Sequence, residues 1–173
     1  MLVPDEDQLL RSAMAGDRLA LAAFVGETQV HVWRFCAYLG RGEDVADLVQ
    51  ETYVRALRAM ARFEGRSSAR TWLLAIARRV CADAVRGARR RRATEALWWQ
   101  RERVQPDASE SIGLTLTLGT LSTDRREAFV LTQVVGLPYA DAAAVCGVPI
   151  GTIRSRVARA REDLQTELGE ATG

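Results

Sequence analysis

The sequence predicts an all-α protein made of two small helical domains joined by a flexible linker. Apolar residues recur at intervals of three and four along most of the chain, which is the spacing of one helix face. Proline occurs only four times, and runs of β-branched residues are short. A polar stretch at residues 93–111 contains Pro106 and has no sustained period, which is typical of a linker. The predicted domains are therefore residues 1–92 and 112–173.

The first domain is predicted to contain four helices. Asp17 can cap the longest of them, because a carboxylate at this position accepts hydrogen bonds from free backbone N–H groups. Gly40 and Gly42 end that helix, and the loop Glu64–Ala69 precedes the fourth. The four helices are predicted at residues 5–15, 17–40, 43–63 and 71–92, and the last ends in the arginine run 89–92. The longest helix carries the apolar residues Leu19, Leu21, Ala22, Phe24, Val25, Val30, Trp33, Phe35, Cys36 and Leu39.

The second domain has the pattern of a helix-turn-helix. Ser122 or Thr123 can cap a helix that runs through Val134. Gly147 can supply the tight turn, since glycine adopts a positive φ without steric cost. A weak helix is predicted at residues 112–118, a short alanine-rich helix at residues 139–146 and a long helix from Ile150.

The charge pattern predicts two contacts with a polyanion. The chain contains no lysine, so its basic residues are arginines, and the net charge is only +2. However, residues 64–92 contain nine arginines and two acids, and residues 150–161 contain four arginines and no acid. Focused patches of this kind are typical of nucleic-acid binding. The lack of lysine also excludes a P-loop and Schiff-base chemistry.

No residue pattern indicates an enzyme, a metal site, a cofactor or a membrane segment. Cys36, Cys81 and Cys146 lie in apolar helical contexts, which favours core thiols of a cytoplasmic protein over disulfides. His31 is the only histidine, so a zinc site is not expected. The N-terminus is acidic, unlike a signal peptide, and no apolar run is long enough to cross a bilayer.

The last helix contains the segment IGTIRSRVARARE, residues 150–162. Wound at about 100° per residue, it places Ile153, Val157, Ala160 and Leu164 on one stripe. Taken alone, its basic face could be a solvated surface. Within a helix-turn-helix, this helix enters the major groove, where arginine can bind guanine through two hydrogen bonds. The outward residues are Arg154, Ser155, Ala158 and Arg159, while Arg156 and Arg161 flank the stripe and are expected to meet phosphates or acids.

Three segments together resemble the extracytoplasmic-function (ECF, group 4) sigma factors of bacterial RNA polymerase, of an actinobacterial type. Asp47–Leu57 resembles region 2.2, which docks on core polymerase. Phe63–Arg79 resembles regions 2.3 and 2.4, which open and read the −10 element. Tyr139–Glu162 resembles region 4.2, which reads the −35 element. The order and spacing of the three segments make the resemblance specific, and it covers about residues 8–168.

The resemblance implies a function in promoter-specific transcription initiation, without catalysis by this chain. The implied partners are core RNA polymerase, through its β′ clamp helices and β flap, and promoter DNA; an anti-sigma factor is possible. The implied core-binding residues are Asp47, Gln50 and Glu51. The implied −10 residues are Phe63, Arg66, Ser67, Ser68, Arg70 and Arg79, and the implied −35 residues are Arg154, Ser155, Arg156, Ala158, Arg159 and Arg161.

Several points stay open at this level. A stand-alone helix-turn-helix regulator is the main alternative; it predicts a symmetric dimer that binds duplex DNA without polymerase. An all-helical enzyme and an anti-sigma or adaptor protein are weaker alternatives. Trp98 and Trp99 either pack against one of the two domains or are available to bind a partner. By resemblance, the linker acids Glu102, Asp107 and Glu110 could mimic the charge of RNA.

Overall fold

The fold was obtained as a computed structural model that describes residues 5–96 and 117–170. Within these ranges the regular secondary structure is helical, without strands, and the predicted all-α class is confirmed. Trp98, Trp99 and the three linker acids lie outside the described residues. The first module contains α1 (Glu6–Met14), α2 (Arg18–Leu39), α3 (Val45–Ala59) and α4 (Ala69–Ala96), and the second contains α5 (Thr123–Phe129), α6 (Tyr139–Cys146) and α7 (Ile150–Glu170).

An aspartate precedes each of the first three helices and caps its N-terminus. The Asp5 carboxylate accepts a hydrogen bond of 2.7 Å from a backbone N–H of the first turn of α1. The predicted cap Asp17 accepts two such bonds at the start of α2, at 2.8 and 3.1 Å. Asp44 does the same for α3, at 2.8 and 3.3 Å. These side chains satisfy N–H groups that would otherwise lack a partner.

Helix α4 is the centre of the first module, where it packs against α1, α2 and α3. Its Leu73 and Leu74 are fully buried together with Phe35 of α2. Two threonines lie in this core and satisfy their hydroxyls locally. Thr28 Oγ1 donates to a carbonyl of its own helix at 2.6 Å, and Thr52 Oγ1 does so at 2.7 Å. The core therefore contains polar groups without leaving them unpaired.

Ala22 and three large apolar side chains among those predicted for α2 lie at the surface instead. Leu19 is 83% exposed, Val30 47% and Trp33 45%. The helix has 22 residues, with apolar side chains on more than one face, and only one face meets the core.

Two helix ends differ from the prediction. The third helix ends at Ala59 and is followed by a 3₁₀ turn, Met60–Arg62, rather than continuing to Phe63. Helix α4 continues through the arginine run to Ala96. The residues after the run are Ala, Thr, Glu and Ala, and none of them breaks a helix.

The second module holds the predicted helix-turn-helix. Residues 117–120 are helical, and α5 is followed by a π-helical turn, Val130–Val134, that the sequence did not predict. Ser122 is the first residue before α5, but its side chain makes no capping hydrogen bond. Between α6 and α7, Gly147 has φ of 67°, as predicted for the turn. Three members of the predicted stripe of α7, Ile153, Val157 and Ala160, are buried, and the fourth, Leu164, is half-buried and packs against the core.

The two modules pack against each other, with α4 against α6 and α2 against the π-helical turn. Arg78 Nε of α4 donates to Glu127 Oε2 of α5 at 2.8 Å. The Glu127 side chain is only 7% exposed. A cleft of about 170 Å³ remains beside this ion pair, and we call it the inter-module cleft. Its walls include Phe35, Leu39, Arg78 and Cys81 from the first module and Thr123, Arg126 and Glu127 from the second.

Candidate nucleic-acid and polymerase interfaces

The solvent face of α7 presents two arginines that are not engaged within the described part of the chain. Arg154 and Arg159 are exposed, and neither forms an ion pair or hydrogen bond with a described residue. Ser155 and Ala158 lie between them and are also exposed, and the Ser155 hydroxyl donates to the Thr152 carbonyl at 3.0 Å. Two cations with a small side chain and a hydroxyl between them form a surface that a base edge can approach closely.

The other two arginines of α7 point back to their own module. Arg156 is half-buried and pairs with Asp124 of α5. Arg161 Nη2 donates to Gln133 Oε1 of the π-helical turn at 2.7 Å. Both contacts join α7 to the preceding helical segment, so they fix the orientation of the face that carries Arg154 and Arg159. The expectation that they meet an acid holds for Arg156, whereas Arg161 meets an amide.

The predicted −10 residues around the loop form one cluster at the start of α4. Phe63 is half-buried and its ring centroid lies 5.2 Å from that of Trp72. Arg66 is exposed and pairs with Glu64. Ser68 begins α4: its Oγ accepts the Thr71 N–H at 3.1 Å. Ser67 is half-buried beside it.

Arg70 is already occupied by the N-terminal helix. Its Nε donates to Glu6 Oε2 at 2.9 Å, and this hydrogen bond, partly opposed by burial, raises the pKa of Arg70. The neighbouring Ala69 N–H donates to Asp7 Oδ1 at 2.5 Å. Acids of α1 therefore cover the start of α4. No sequence pattern predicted this role for Glu6 and Asp7.

Arg79 does not belong to this cluster. It is exposed on α4 nine residues after Arg70, which corresponds to about half a turn around the helix. Phe63, Arg66, Ser67, Ser68 and Arg70 thus lie in the loop before α4 or in its first turn, whereas Arg79 lies on another side of α4.

The predicted core-binding residues share one side of α3. Asp47 and Gln50 are exposed. Glu51 is half-buried and accepts from Arg55 Nε at 2.7 Å, while Arg55 Nη1 reaches Asp83 of α4 at 2.7 Å. Asp47 and Glu51 line a groove between α3 and α4 that also contains Glu43, Asp44 and Asp83. The groove is strongly acidic, as expected of a surface that meets a basic partner.

The arginine run at residues 89–92 is helical. Arg91 Nη2 donates to Glu43 Oε2 at 3.2 Å, so one member of the run is bound to the edge of the acidic groove. Arg89 and Arg92 are exposed. The arginine run is therefore an ordered part of α4.

Sequence reasoning missed the buried charges between the modules. Arg126 is 4% exposed, and its Nη2 donates to the carbonyls of Gly119 and Leu121 at 2.7 and 2.9 Å. Desolvation, and secondly the charge of Arg41, lower the pKa of Arg126 to about 10. Only tertiary packing buries Arg126 and Glu127, and their sequence context, a charged first turn of a helix, resembles any exposed helix start.

Neither a metal site nor a membrane-spanning helix was found in the described ranges. No group of three His, Cys, Asp or Glu side chains there could hold a metal ion. None of the helices there combines the length and the apolar character needed to cross a bilayer.

Family models match both modules. The model for Sigma-70 region 2 matches residues 24–91, and the model for Sigma-70, region 4 matches residues 112–164. Because the matches cover both modules, the stand-alone helix-turn-helix regulator is not favoured.

Relatives with assigned roles are similar over most of the chain. The ECF RNA polymerase sigma factor SigC of Mycobacterium tuberculosis is 51% identical over 161 residues, which cover 90% of this chain and 87% of that protein. The ECF RNA polymerase sigma factor EcfG of Rhodopseudomonas palustris is 36% identical over 134 residues, which cover 75% and 74%.

Solved structures show the same fold. CnrH, solved in complex with the cytosolic domain of CnrY, superposes with a TM-score of 0.76 at 30% identity, covering 96% of this chain and 99% of that one. The sigma factor RpoE of Bartonella quintana, solved with the anti-sigma factor NepR, gives a TM-score of 0.68 at 32% identity, covering 85% and 97%. The chain therefore belongs to the sigma-70 family as an ECF sigma factor, a non-enzymatic protein that binds core RNA polymerase and promoter DNA and directs promoter-specific transcription initiation.

Proposed function

We propose that this sigma factor reads its −35 element through the exposed face of α7, its −10 element through residues 63–70 and core polymerase through α3. The observation that carries this assignment is the division of the four α7 arginines. Arg154 and Arg159 are exposed without a partner in the described part of the chain, while Arg156 and Arg161 are bound to α5 and to the π-helical turn. An arginine that is left unpaired beside paired ones is available for a ligand.

At the −35 element, Arg154 and Arg159 carry the base contacts. Each guanidinium can bind O6 and N7 of a guanine in the major groove. Ser155 and Ala158 have small side chains that let α7 approach the base edges closely, and Ser155 also offers one hydroxyl group for a hydrogen bond. Arg156 and Arg161 keep Asp124 and Gln133 as partners, and their remaining guanidinium N–H groups can donate to phosphate oxygens at the edges of the helix.

At the −10 element, the loop cluster holds the opened strand. Arg66 is free to move, since its side chain is 85% exposed, and can bind the backbone. Phe63 and the hydroxyls of Ser67 and Ser68 form the wall against which an unstacked base can be held. Arg70 joins the contact when it releases Glu6. Arg79, on another side of α4, binds duplex phosphate rather than the unstacked base.

Core docking uses the acidic groove of α3 and α4. Asp47 and Gln50 face solvent, and Glu51 stands beside them on the same side of the helix. Charge complementarity to the basic β′ clamp helices sets the register and speeds encounter. The second module contacts the β flap. These roles assign residues 1–92 to region 2, residues 93–111 to the linker and residues 112–173 to region 4.

The central experiment is in vitro transcription with core polymerase and a randomised promoter library. We expect transcripts to share a two-part element. Arg154→Ala and Arg159→Ala should each lower the preference at one upstream base pair by roughly ten- to a hundredfold, which corresponds to ~1–3 kcal/mol per lost guanine contact. Arg18→Ala removes an exposed arginine of α2 and should leave the preference unchanged. Unaltered upstream preference in both α7 variants would contradict the assignment.

Core docking is tested separately by the affinity for core polymerase without DNA. Asp47→Arg and Gln50→Arg are expected to weaken binding by roughly tenfold or more, since each sets like charges against each other. Gln29→Arg introduces the same charge at an exposed glutamine of α2 and is the matched control. Equal affinity of the α3 variants and the control would exclude this face.

An anti-sigma factor is a further proposed partner. The solved RpoE structure contains an anti-sigma factor, and the CnrH structure contains a cytosolic domain of another protein. We expect such a partner to bind this chain in the cytoplasm, where core polymerase acts, and to lower promoter-specific transcription when it is added before core polymerase. Unchanged transcription at saturating partner would argue against it.

A further inference from the structure

Two buried cysteines of the first module lie in direct contact. Cys36 of α2 is 0% exposed and Cys81 of α4 is 3% exposed. The Cys81 thiol donates a hydrogen bond to Cys36 Sγ, with the two sulfurs 3.8 Å apart. Both thiols are free in this structure. The third cysteine, Cys146, is buried in the second module and is free as well.

We propose that Cys36 and Cys81 form a peroxide-oxidisable dithiol, which closes into a disulfide that links α2 to α4. A disulfide requires its sulfurs to lie about 2.05 Å apart. The pair has to close by roughly 1.8 Å from its present separation, which a small rotation of both side chains and a slight approach of the helices can supply. The inference concerns two cysteines of the first module and does not depend on the promoter contacts proposed above.

The inter-module cleft gives an oxidant a way to the pair. Cys81 lines this cleft, whereas Cys36 lies behind Cys81. Hydrogen peroxide is small and uncharged, so it can enter a cleft of about 170 Å³ that would exclude a larger disulfide reagent. Cys81 is therefore the sulfur that meets peroxide first, and Cys36 is the sulfur that completes the bond.

Access through the cleft sets this order, because the hydrogen bond from Cys81 lowers the pKa of Cys36 and raises the pKa of Cys81. When the pair loses one proton, the remaining S–H donates to the sulfur that carries the charge, which stabilises the thiolate. The charge rests first on Cys36, and transfer of the shared proton from Cys81 to Cys36 along the hydrogen bond makes Cys81 the thiolate. The Cys81 thiolate then attacks one peroxide oxygen, the O–O bond breaks, and the departing hydroxide takes up a proton to become water. Cys81 is then a sulfenic acid. Cys36 attacks its sulfur, the S–O bond breaks and a second water leaves, so that two thiols are oxidised and one peroxide is reduced.

Cys146 provides an internal comparison. Burial raises the pKa of Cys146 to about 11, and no other cysteine contacts it in the described residues. It therefore lacks both the resolving sulfur and the shared proton that distinguish the pair in the first module. It should stay a thiol while the pair reacts.

The test treats the full-length reduced chain with hydrogen peroxide under native conditions and then labels the free thiols in denaturant. We expect a loss of mass equal to two hydrogen atoms, one labelled cysteine instead of three, and a cross-linked peptide pair containing Cys36 and Cys81. Dithiothreitol should restore three labelled thiols. The melting temperature of the oxidised chain should rise by several degrees, since the link closes a long loop.

Cysteine variants distinguish the Cys36–Cys81 disulfide from oxidation at other sites. Cys36→Val and Cys81→Val keep apolar side chains of similar size, and each should abolish the cross-link, whereas Cys146→Ala should retain it. If a valine variant fails to fold, wild-type peptide mapping still decides the question. Three thiols that remain free after native treatment would overturn the proposal. So would sulfinic acid at Cys81 without a link, a bond to Cys146, or a link that forms only in the denatured chain.

Discussion

Glu127→Ala is expected to loosen the contact between the two modules. Its carboxylate lies 2.8 Å from Arg78 Nε, and the side chains are 7% and 33% exposed, respectively. Removing one partner of a fully buried pair costs about 3–5 kcal/mol, whereas an exposed pair contributes about 0–1 kcal/mol. Because one partner here is buried and the other is partly solvated, we expect the free energy of unfolding to fall by about 2 kcal/mol.

A double-mutant cycle isolates this interaction. Arg78→Ala, Glu127→Ala and the double variant are unfolded in urea and followed by far-UV circular dichroism. We expect a coupling energy of about 1–2 kcal/mol. The pair Arg125–Asp163, at 2.5 Å within the second module and 35% and 37% exposed, is the reference and should give about 0.5 kcal/mol or less. A coupling no larger than the reference would refute the conclusion that a buried ion pair holds the modules together.

Three further changes test local features. Gly147→Ala should destabilise the chain by about 1–2 kcal/mol, because alanine at φ of 67° is strained. Gly151→Ala, in the first turn of α7 with open space around it, should be neutral or stabilising by less than about 1 kcal/mol; equal losses in the two variants would contradict the turn geometry. Asp44→Ala should cost about 1 kcal/mol through the lost cap of α3, measured by urea unfolding; an unchanged midpoint would contradict it. The Arg55 guanidinium lowers the pKa of Asp83, so this carboxylate stabilises the fold above its unfolded pKa, and that contribution is lost as pH falls through its folded value. Asp83→Asn should therefore show less loss of stability between about pH 6 and pH 3 than the wild type; parallel curves would refute it.

The sequence predicts a helix cap, a turn and a buried helix face, because each of these features depends on neighbouring residues alone. Asp17 was identified as a cap because a carboxylate before an apolar run has few other uses. Gly147 was identified as the turn because it lies between two helical patterns. The stripe Ile153, Val157 and Ala160 follows from the helical period, since Arg, Ser and Thr occupy most of the other positions in the first three turns of α7. In each case the sequence left one physical solution.

Long-range packing was not predictable in the same way. Leu19 and Trp33 are among the apolar residues that the sequence places on α2, but this helix has apolar residues on several faces, so periodicity cannot select the face that meets α4. Arg78 and Glu127 are 49 residues apart, with the linker between them, and nothing local links them. The π-helical turn depends on how the chain closes at Gly136, where the Leu137 N–H reaches the Leu131 carbonyl at 2.9 Å.

The candidate −35 surface depends both on helical geometry, which the sequence predicts, and on tertiary packing, which it does not. At about 100° per residue, Arg154, Ala158, Ser155 and Arg159 span one continuous arc of roughly 140° opposite the buried stripe. Arg156 and Arg161 fall at the two edges of that stripe, within reach of α5 and the π-helical turn. Helical geometry alone therefore separates the arginines that can be held from those that cannot. Which acid or amide holds them, Asp124 for one and Gln133 for the other, follows only from the tertiary packing. Because contacts hold α7 at both edges, the helix cannot rotate about its axis, and its outer arginines meet DNA in one orientation. A fixed orientation is required for reading a base sequence rather than only binding charge.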